Sequence, residues 1–241
     1  MSTSFEKYND ILLAAHKQSN RAGDVAIKKK EIFDELFDHF NIESGTILFV
    51  GFNPAILKLS NFDICVTEVS DEVREVIDTH GVKYTYIKDI KNYGKKFAVV
   101  SATDEYFTFA ATDQQQRDLV ETLASVTENL LITTLRDYKN QDFKDREFSL
   151  PILVRNVDNK AIYFEHYEYD LHDRNNFYGT NYIVTDETLD VIGPFERRTM
   201  YFKQLAKFSF DNGAKNFLVH QNLMHKSTIK KNYEHILTIK F

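Results

Sequence analysis

The chain has a single cysteine, Cys65, and no tryptophan. One thiol closes no internal disulfide, so a reducing, cytoplasmic setting is expected. Glycine and proline are scarce, at 8 and 3 residues, and no repeat, low-complexity tract or obvious linker interrupts the chain. Long hydrophobic runs are missing as well. Stretches such as Phe97 to Val100 and Asn129 to Leu135 are far too short to cross a bilayer, and Met1 to Asp10 is polar and acidic, without a signal-peptide pattern. Nor is there surplus positive charge. The net charge of −6 disfavours a generic nucleic-acid binder, because phosphate neutralisation requires excess Lys and Arg. What is present is a hydrophobic fraction of 43%, with 14% aromatic residues, in 241 residues. That suits one domain with a sizeable core and a modest insertion.

The hydrophobic period changes along the chain. Phe5, Tyr8, Leu12 and Ala15 fall at helical spacing, as do Phe33, Leu36, Phe37 and Phe40. Thr46 to Val50 is a short apolar run ended by Gly51, the pattern of a strand buried on both faces. Asn53-Pro54 caps and starts a brief helix. Further strands are expected over 62–67, 82–87, 96–101 and 130–135. Ser70, Asp71 and Glu72 open one intervening helix, and Asp113 with Gln116 forms a capping box for another. Strands alternating with helices imply a parallel sheet covered on both faces. Beyond it, residues 150–157 and 161–169 flank Asp158-Asn159 as a hairpin. Pro194 opens a helix through Phe208 with Gly213 just past its end, and strands over 216–220 and 235–241 close the chain.

Four stretches stand where these strands end: Phe49-Val-Gly-Phe-Asn53, Glu68-Val69, Asp89-Ile90 and Ser101-Ala-Thr-Asp104-Glu-Tyr106. With the order of elements, over roughly residues 45–241, they resemble the class I S-adenosylmethionine-dependent methyltransferases. The resemblance implies a three-layer, Rossmann-like α/β fold with a seven-stranded, mostly parallel sheet, an antiparallel last strand and a β-rich insertion after the fifth strand. It divides a single domain into N-terminal helices (1–44), a cofactor-binding half (45–139), an insertion acting as a substrate lid (140–192) and a closing helix and strand pair (193–241). S-adenosylmethionine is the implied cofactor and S-adenosylhomocysteine its product. Gly51, Phe52 and Asn53 would approach the methionine part, Glu68 and Val69 the ribose, Asp89 and Ile90 the adenine, and Ser101 and Ala102 the reactive end. Asp104 and Tyr106 are the candidate catalytic residues, taking a proton from the attacking atom or orienting it. Two features depart from the family pattern: Phe49 stands where an acidic residue is usual, and Gly51 is the turn's lone glycine. Each stretch also has an architectural reading, as a strand-to-helix turn, a loop carboxylate, a helix-capping aspartate and core aromatics.

Other patterns carry less. Tyr163 to Asp173 mixes His166 and His172 with carboxylates, and strand alternation puts His166, Glu168 and Asp170 on one face and Glu165, Tyr167 and Tyr169 on the other. A polar face over a substrate cleft accounts for it, and no metal site is assigned. Lys28 to Lys30 lie on a solvated helix face. Neither a G-x-x-x-x-G-K nor a G-x-G-x-x-G motif occurs, which disfavours a phosphate-binding loop and a dehydrogenase. The expectation is methyl transfer to a small-molecule acceptor, without membrane association. One alternative is an RNA or cap methyltransferase, with Asp104 and Lys28 to Lys30 supplying parts of a Lys-Asp-Lys-Glu tetrad, although Arg136 follows the fifth strand where an internal Lys is needed. The other is a non-catalytic binding or regulatory protein that keeps the fold, favoured by Phe49.

Overall fold

Alternation along β1 (Thr46–Val50) sends Leu48 and Val50 into one hydrophobic core and Ile47 and Phe49 into another. A strand buried on both faces belongs in the middle of a sheet, and β1 lies there. The computed structural model describes residues 4–18, 22–137, 146–148, 152–155, 160–170, 172–173, 175–220 and 234–241. Its larger sheet has seven strands in the order β11-β12-β5-β4-β1-β2-β3. These are β2 (Asp63–Thr67), β3 (Tyr84–Tyr86), β4 (Phe97–Ala102), β5 (Thr127–Arg136), β11 (Asn216–His220) and β12 (Glu234–Lys240) around β1. The pairs among β1 to β5 are parallel, while β12 runs antiparallel to both β5 and β11. The expected antiparallel last strand is therefore found between its predecessor and the fifth strand.

Helices cover both faces. α1 (Ser4–Gln18), α4 (Asp113–Val126) and α5 (Phe202–Asp211) contribute Phe5, Val120, Leu123, Leu205 and Phe208 to the first core. α2 (Ala22–Phe40) and α3 (Asp71–Thr79) contribute Phe33, Leu36, Phe37, Val73 and Ile77 to the second. None of the described helices is long and apolar enough to cross a membrane. Because β1 is flanked by β2 on one side and β4 on the other, the strand order reverses between β1 and β4. In open α/β sheets that reversal opens a crevice at the carboxyl ends, where ligands bind.

The insertion forms a second, antiparallel sheet of five strands, β10-β9-β8-β6 with β7 also on β8. Its strands are β6 (Arg146–Phe148), β7 (Ile152–Arg155), β8 (Lys160–Tyr169), β9 (Asn176–Thr185) and β10 (Leu189–Arg198). The expected hairpin is the β7–β8 pair, Ile152 opposite Tyr163 and Arg155 opposite Lys160; its turn residues Asp158 and Asn159 lie outside the described residues. The sheet runs on to Arg198, past the expected boundary at 192.

Three local expectations are corrected. Pro194 does not start a helix: it sits in β10 at an irregularity between Ile192 and Phe195, and the helix begins at Phe202. A proline donates no N–H, so a strand irregularity tolerates it as well as a helix start does. The capping box of α4 is Thr112 with Gln115, one residue earlier than expected, and Gln116 instead turns inward to donate to the carbonyls of Phe107, Arg198 and Thr199 at 3.1–3.3 Å. In α1 the buried stripe is Phe5, Asn9 and Leu13, with Ile11 beside it, whereas Tyr8 and Leu12 are half-buried. A polar side chain thus occupies the middle of the helix's buried face.

Candidate functional site

The turn after β1 begins at Gly51, whose φ of +82° favours glycine. A β-carbon there would stand 2.6 Å from the Phe5 ring and 2.8–2.9 Å from the Asn9 carboxamide. The space left by the missing side chain is therefore filled by α1. Asn9 is fully buried: its Oδ1 accepts from the Phe52 N–H at 2.8 Å and its Nδ2 donates to the Phe5 carbonyl at 2.7 Å. Asn53 caps the one-turn 3₁₀ helix Pro54–Leu57, accepting from the Ala55 N–H at 3.0 Å, and its amide donates to Thr103 Oγ1 at 3.2 Å. That bond ties the turn after β1 to the turn after β4.

Glu68 follows β2 with a φ of +52°, and Asp104 and Glu105 follow β4 at +57° each. Asn41 is the other non-glycine residue in this region of backbone space among those described. Left-handed backbone costs a non-glycine residue about 1–3 kcal/mol and gathers at functional sites; here it gathers at the ends of β2 and β4, the two strands that flank β1. Glu68 accepts a hydrogen bond from the Tyr106 hydroxyl at 2.8 Å. Burial pushes the Glu68 carboxyl above its usual range; the Tyr106 bond pulls it down, and Glu6 adds to the rise. The same contacts, burial foremost, hold the Tyr106 phenol well above its ordinary value. Val69, next to Glu68, is buried. At the end of β3, Asp89 is exposed and closes its own turn, accepting from the Lys91 N–H at 3.0 Å and the Asn92 side chain at 2.6 Å, while Ile90 packs into the first core.

Ser101 and Ala102 end β4 and are buried, and the Ser101 hydroxyl has no hydrogen-bond partner among the described residues. Asp104 is half-buried; its N–H and that of Glu105 donate to Thr134 Oγ1 at 2.9 and 3.4 Å, and its carboxylate accepts from Thr103 at 3.1 Å. Glu68, Tyr106, Asp104, Ser101 and the Gly51–Asn53 turn thus gather at the carboxyl ends of β1, β2 and β4. Asp89 and Ile90 stand at the neighbouring end of β3.

Beyond the ends of β4 and β5 lies a charged cluster that sequence patterns did not indicate. Arg197 of β10 is 0% exposed. Its guanidinium is 3.0 Å from the Glu165 carboxylate of β8 and 3.7 Å from that of Glu105, and it stacks over Phe109 and Tyr8 at 4.2 and 4.7 Å. Burial alone pulls the Arg197 guanidinium down; Glu165 above all overcomes this and holds it above its ordinary value. Arg136, at the end of β5, is 3.3 Å from Glu105 and donates to the Tyr167 hydroxyl at 2.5 Å, and Tyr167 donates to Glu165 at 2.5 Å. Gly179 of β9 makes room, since a β-carbon there would stand 2.6 Å from the Glu165 carboxylate.

The alternation expected of β8 is found, with the polar His166 row on the outer side rather than over a cleft. Glu165, Tyr167 and Tyr169 face the domain, while Glu168 is exposed and His166 half-buried, stacked on exposed Phe148. The overlooked signal is a charge placed in an otherwise apolar inward row, Glu165 between Tyr163 and Tyr167 and Arg197 next to Phe195. No group of His, Cys, Asp and Glu among the described residues is arranged to hold a metal ion. Lys28 is exposed and Lys30 pairs with Asp34 at 2.5 Å on α2.

No protein-family model matches the sequence, and no curated protein matches it. Solved structures do match. An S-adenosylmethionine-dependent methyltransferase from Clostridium acetobutylicum is 14% identical, with 97% of this chain and 98% of that one covered at a TM-score of 0.68. DesVI of Streptomyces venezuelae is 13% identical, with 91% and 92% covered at 0.70. An amino pentose methyltransferase from Micromonospora echinaspora, involved in calicheamicin biosynthesis and solved with S-adenosylmethionine bound, is 10% identical, with 100% and 98% covered at 0.65. Together with the strand order, these matches show that the chain has the fold of the class I S-adenosylmethionine-dependent methyltransferases.

Proposed function

We propose that the chain is an S-adenosylmethionine-dependent methyltransferase with a small-molecule acceptor. The observation that carries the reading is Glu68: a half-buried carboxylate in a left-handed turn at the end of β2, held by Tyr106 beside the point where the strand order reverses. A carboxylate so placed accepts from two neighbouring hydroxyls of a ribose, the arrangement used in nucleotide-binding crevices. Val69 lies beside it, and in this reading Asp89 and Ile90, beyond the end of β3, mark the adenine side. Ser101 and Ala102 stand at the reactive end, where the orphaned Ser101 hydroxyl is a donor in search of an acceptor. Gly51, Phe52 and Asn53 form the amino-acid end.

The bound cofactor supplies an electrophilic methyl group on a sulfonium. The chain's own part is to position an attacking atom and to accept or hold its proton. Asp104, half-buried in its strained turn beside Thr103, is the proton acceptor in this reading. Tyr106 has its hydroxyl committed to Glu68, so its part is to fix the Glu68 carboxylate for the ribose. The second sheet closes the acceptor side as a lid, fastened there by the buried Tyr167, Glu165 and Arg197. A small polar acceptor is in keeping with the sugar acceptor of the amino pentose enzyme and with a net charge of −6, which disfavours nucleic acid.

Replacing Glu68 tests the reading. Hydrogen bonds to a charged group contribute about 1.5–3 kcal/mol each, so Glu68→Ala is expected to weaken S-adenosylhomocysteine binding by roughly tenfold to a few hundredfold. Unchanged affinity in the variant would remove Glu68 from the site.

A further inference from the structure

The amino-acid end of the crevice is taken. Phe5 and Asn9 fill the open face of Gly51. The Phe52 N–H, the donor best placed at the turn for a ligand's carboxylate, is bonded to the Asn9 carboxamide oxygen at 2.8 Å. Phe5 lies edge-on against Tyr106, the residue that holds Glu68, with ring centroids 4.8 Å apart. One turn further along α1, Asp10 accepts a hydrogen bond from Ser70, the N-cap of α3. The helix also reaches the second sheet, where Ile11 packs with Ala161, Tyr163 and Phe195, and Tyr8 lies under Arg197.

From these contacts we infer that α1 is a plug in the cofactor crevice, with Asn9 standing in for the ligand's carboxylate on the Phe52 N–H. The inference rests on the cofactor reading above and adds to it a competition. A carboxylate makes a stronger, charge-assisted bond to a backbone N–H than a neutral carboxamide does, so the ligand's amino-acid end displaces Asn9 and α1 withdraws from the turn. Because α1 also carries Tyr8 and Ile11, its withdrawal loosens the contacts of the second sheet around Arg197 and Glu165. Cofactor binding thereby opens the acceptor side, and the two ligands enter in that order.

The test uses the full chain and S-adenosylhomocysteine. Amide hydrogen exchange across residues 5–18 is expected to become faster when the ligand is saturating; slower or unchanged exchange would mean that α1 is a wall of the site and would overturn the plug. A reversible lock supplies the second readout. Asp10→Cys combined with Ser70→Cys, oxidised, holds α1 against α3 and is expected to lose affinity by about tenfold or more, because a closed state lowers apparent affinity by the fraction of competent molecules. Reduction of the same sample is expected to restore the parental affinity or exceed it, because the Asp10–Ser70 bond that seats α1 is gone. Oxidised variant binding as tightly as reduced would overturn the proposal. The cofactor reading fails differently, by absence of binding to the folded parent and to the reduced variant alike, and takes the plug with it.

Discussion

Exchanging Arg197 for methionine keeps most of the side-chain volume and removes the guanidinium. Arg197 is 0% exposed and lies 3.0 Å from Glu165 and 3.7 Å from Glu105, which are themselves buried. Without the guanidinium, the buried Glu165 carboxylate loses the cation beside it, while Glu105 keeps Arg136. Breaking a buried pair in this way costs about 3–5 kcal/mol, and the stacking over Phe109 and Tyr8 adds to it less than additively. Total stability is about 5–15 kcal/mol for a domain. In a chain of this length about 1 kcal/mol shifts the midpoint by 2–4 °C, so Arg197→Met is expected to melt lower by roughly 6–20 °C. Urea unfolding followed by circular dichroism measures it. One signature separates the charge effect from lost packing. Adding Glu165→Gln is expected to recover at least about 1 kcal/mol in a double-mutant cycle. A loss under about 1 kcal/mol, with nothing recovered in the cycle, would refute the claim that this cluster pins the second sheet to the parallel one.

Gly51→Ala places a β-carbon against Phe5 in a backbone conformation with φ +82°. It is expected to cost about 2 kcal/mol in urea unfolding; a neutral result would mean that α1 does not rest on this turn. Glu68 gives a pH dependence. Its carboxyl titrates above the usual range in the folded chain, so the folded state binds more protons than the unfolded one, and this contribution to stability falls as pH rises from the ordinary glutamate value through the raised one. Glu68→Gln removes that penalty and leaves an acceptor for Tyr106. Its melting temperature is expected to exceed the parent's near neutral pH and to converge with it at about pH 4, and a constant difference across that range would contradict the assigned burial.

The parallel half of the fold was legible because its signals are local. Runs such as Thr46 to Val50 end at turn residues, and Ser70 caps its helix as read. The second sheet was legible only where alternation is strict, in β8. β9 and β10 lack that regularity, and Pro194 followed by a helical-looking stretch imitates a helix start. Within the site, the positions of Glu68, Asp89 and Asp104 follow from where strands stop, which the sequence displays. What fills and surrounds them does not. Asn9 meets Phe52, and Arg197 meets Glu105 and Glu165, only through tertiary packing. A polar residue on the inward stripe of a helix, such as Asn9 between Phe5 and Leu13, is the one local trace of that contact.

The central claim, that this fold holds a nucleoside cofactor at the carboxyl ends of β1 to β4, is tested most directly by calorimetric titration of the folded chain. S-adenosylmethionine, S-adenosylhomocysteine and a nicotinamide dinucleotide are compared under one condition. The account expects micromolar binding of the first two and none of the third. Absence of binding for all three would contradict it and favour a regulatory protein that keeps the fold with its crevice permanently filled by α1.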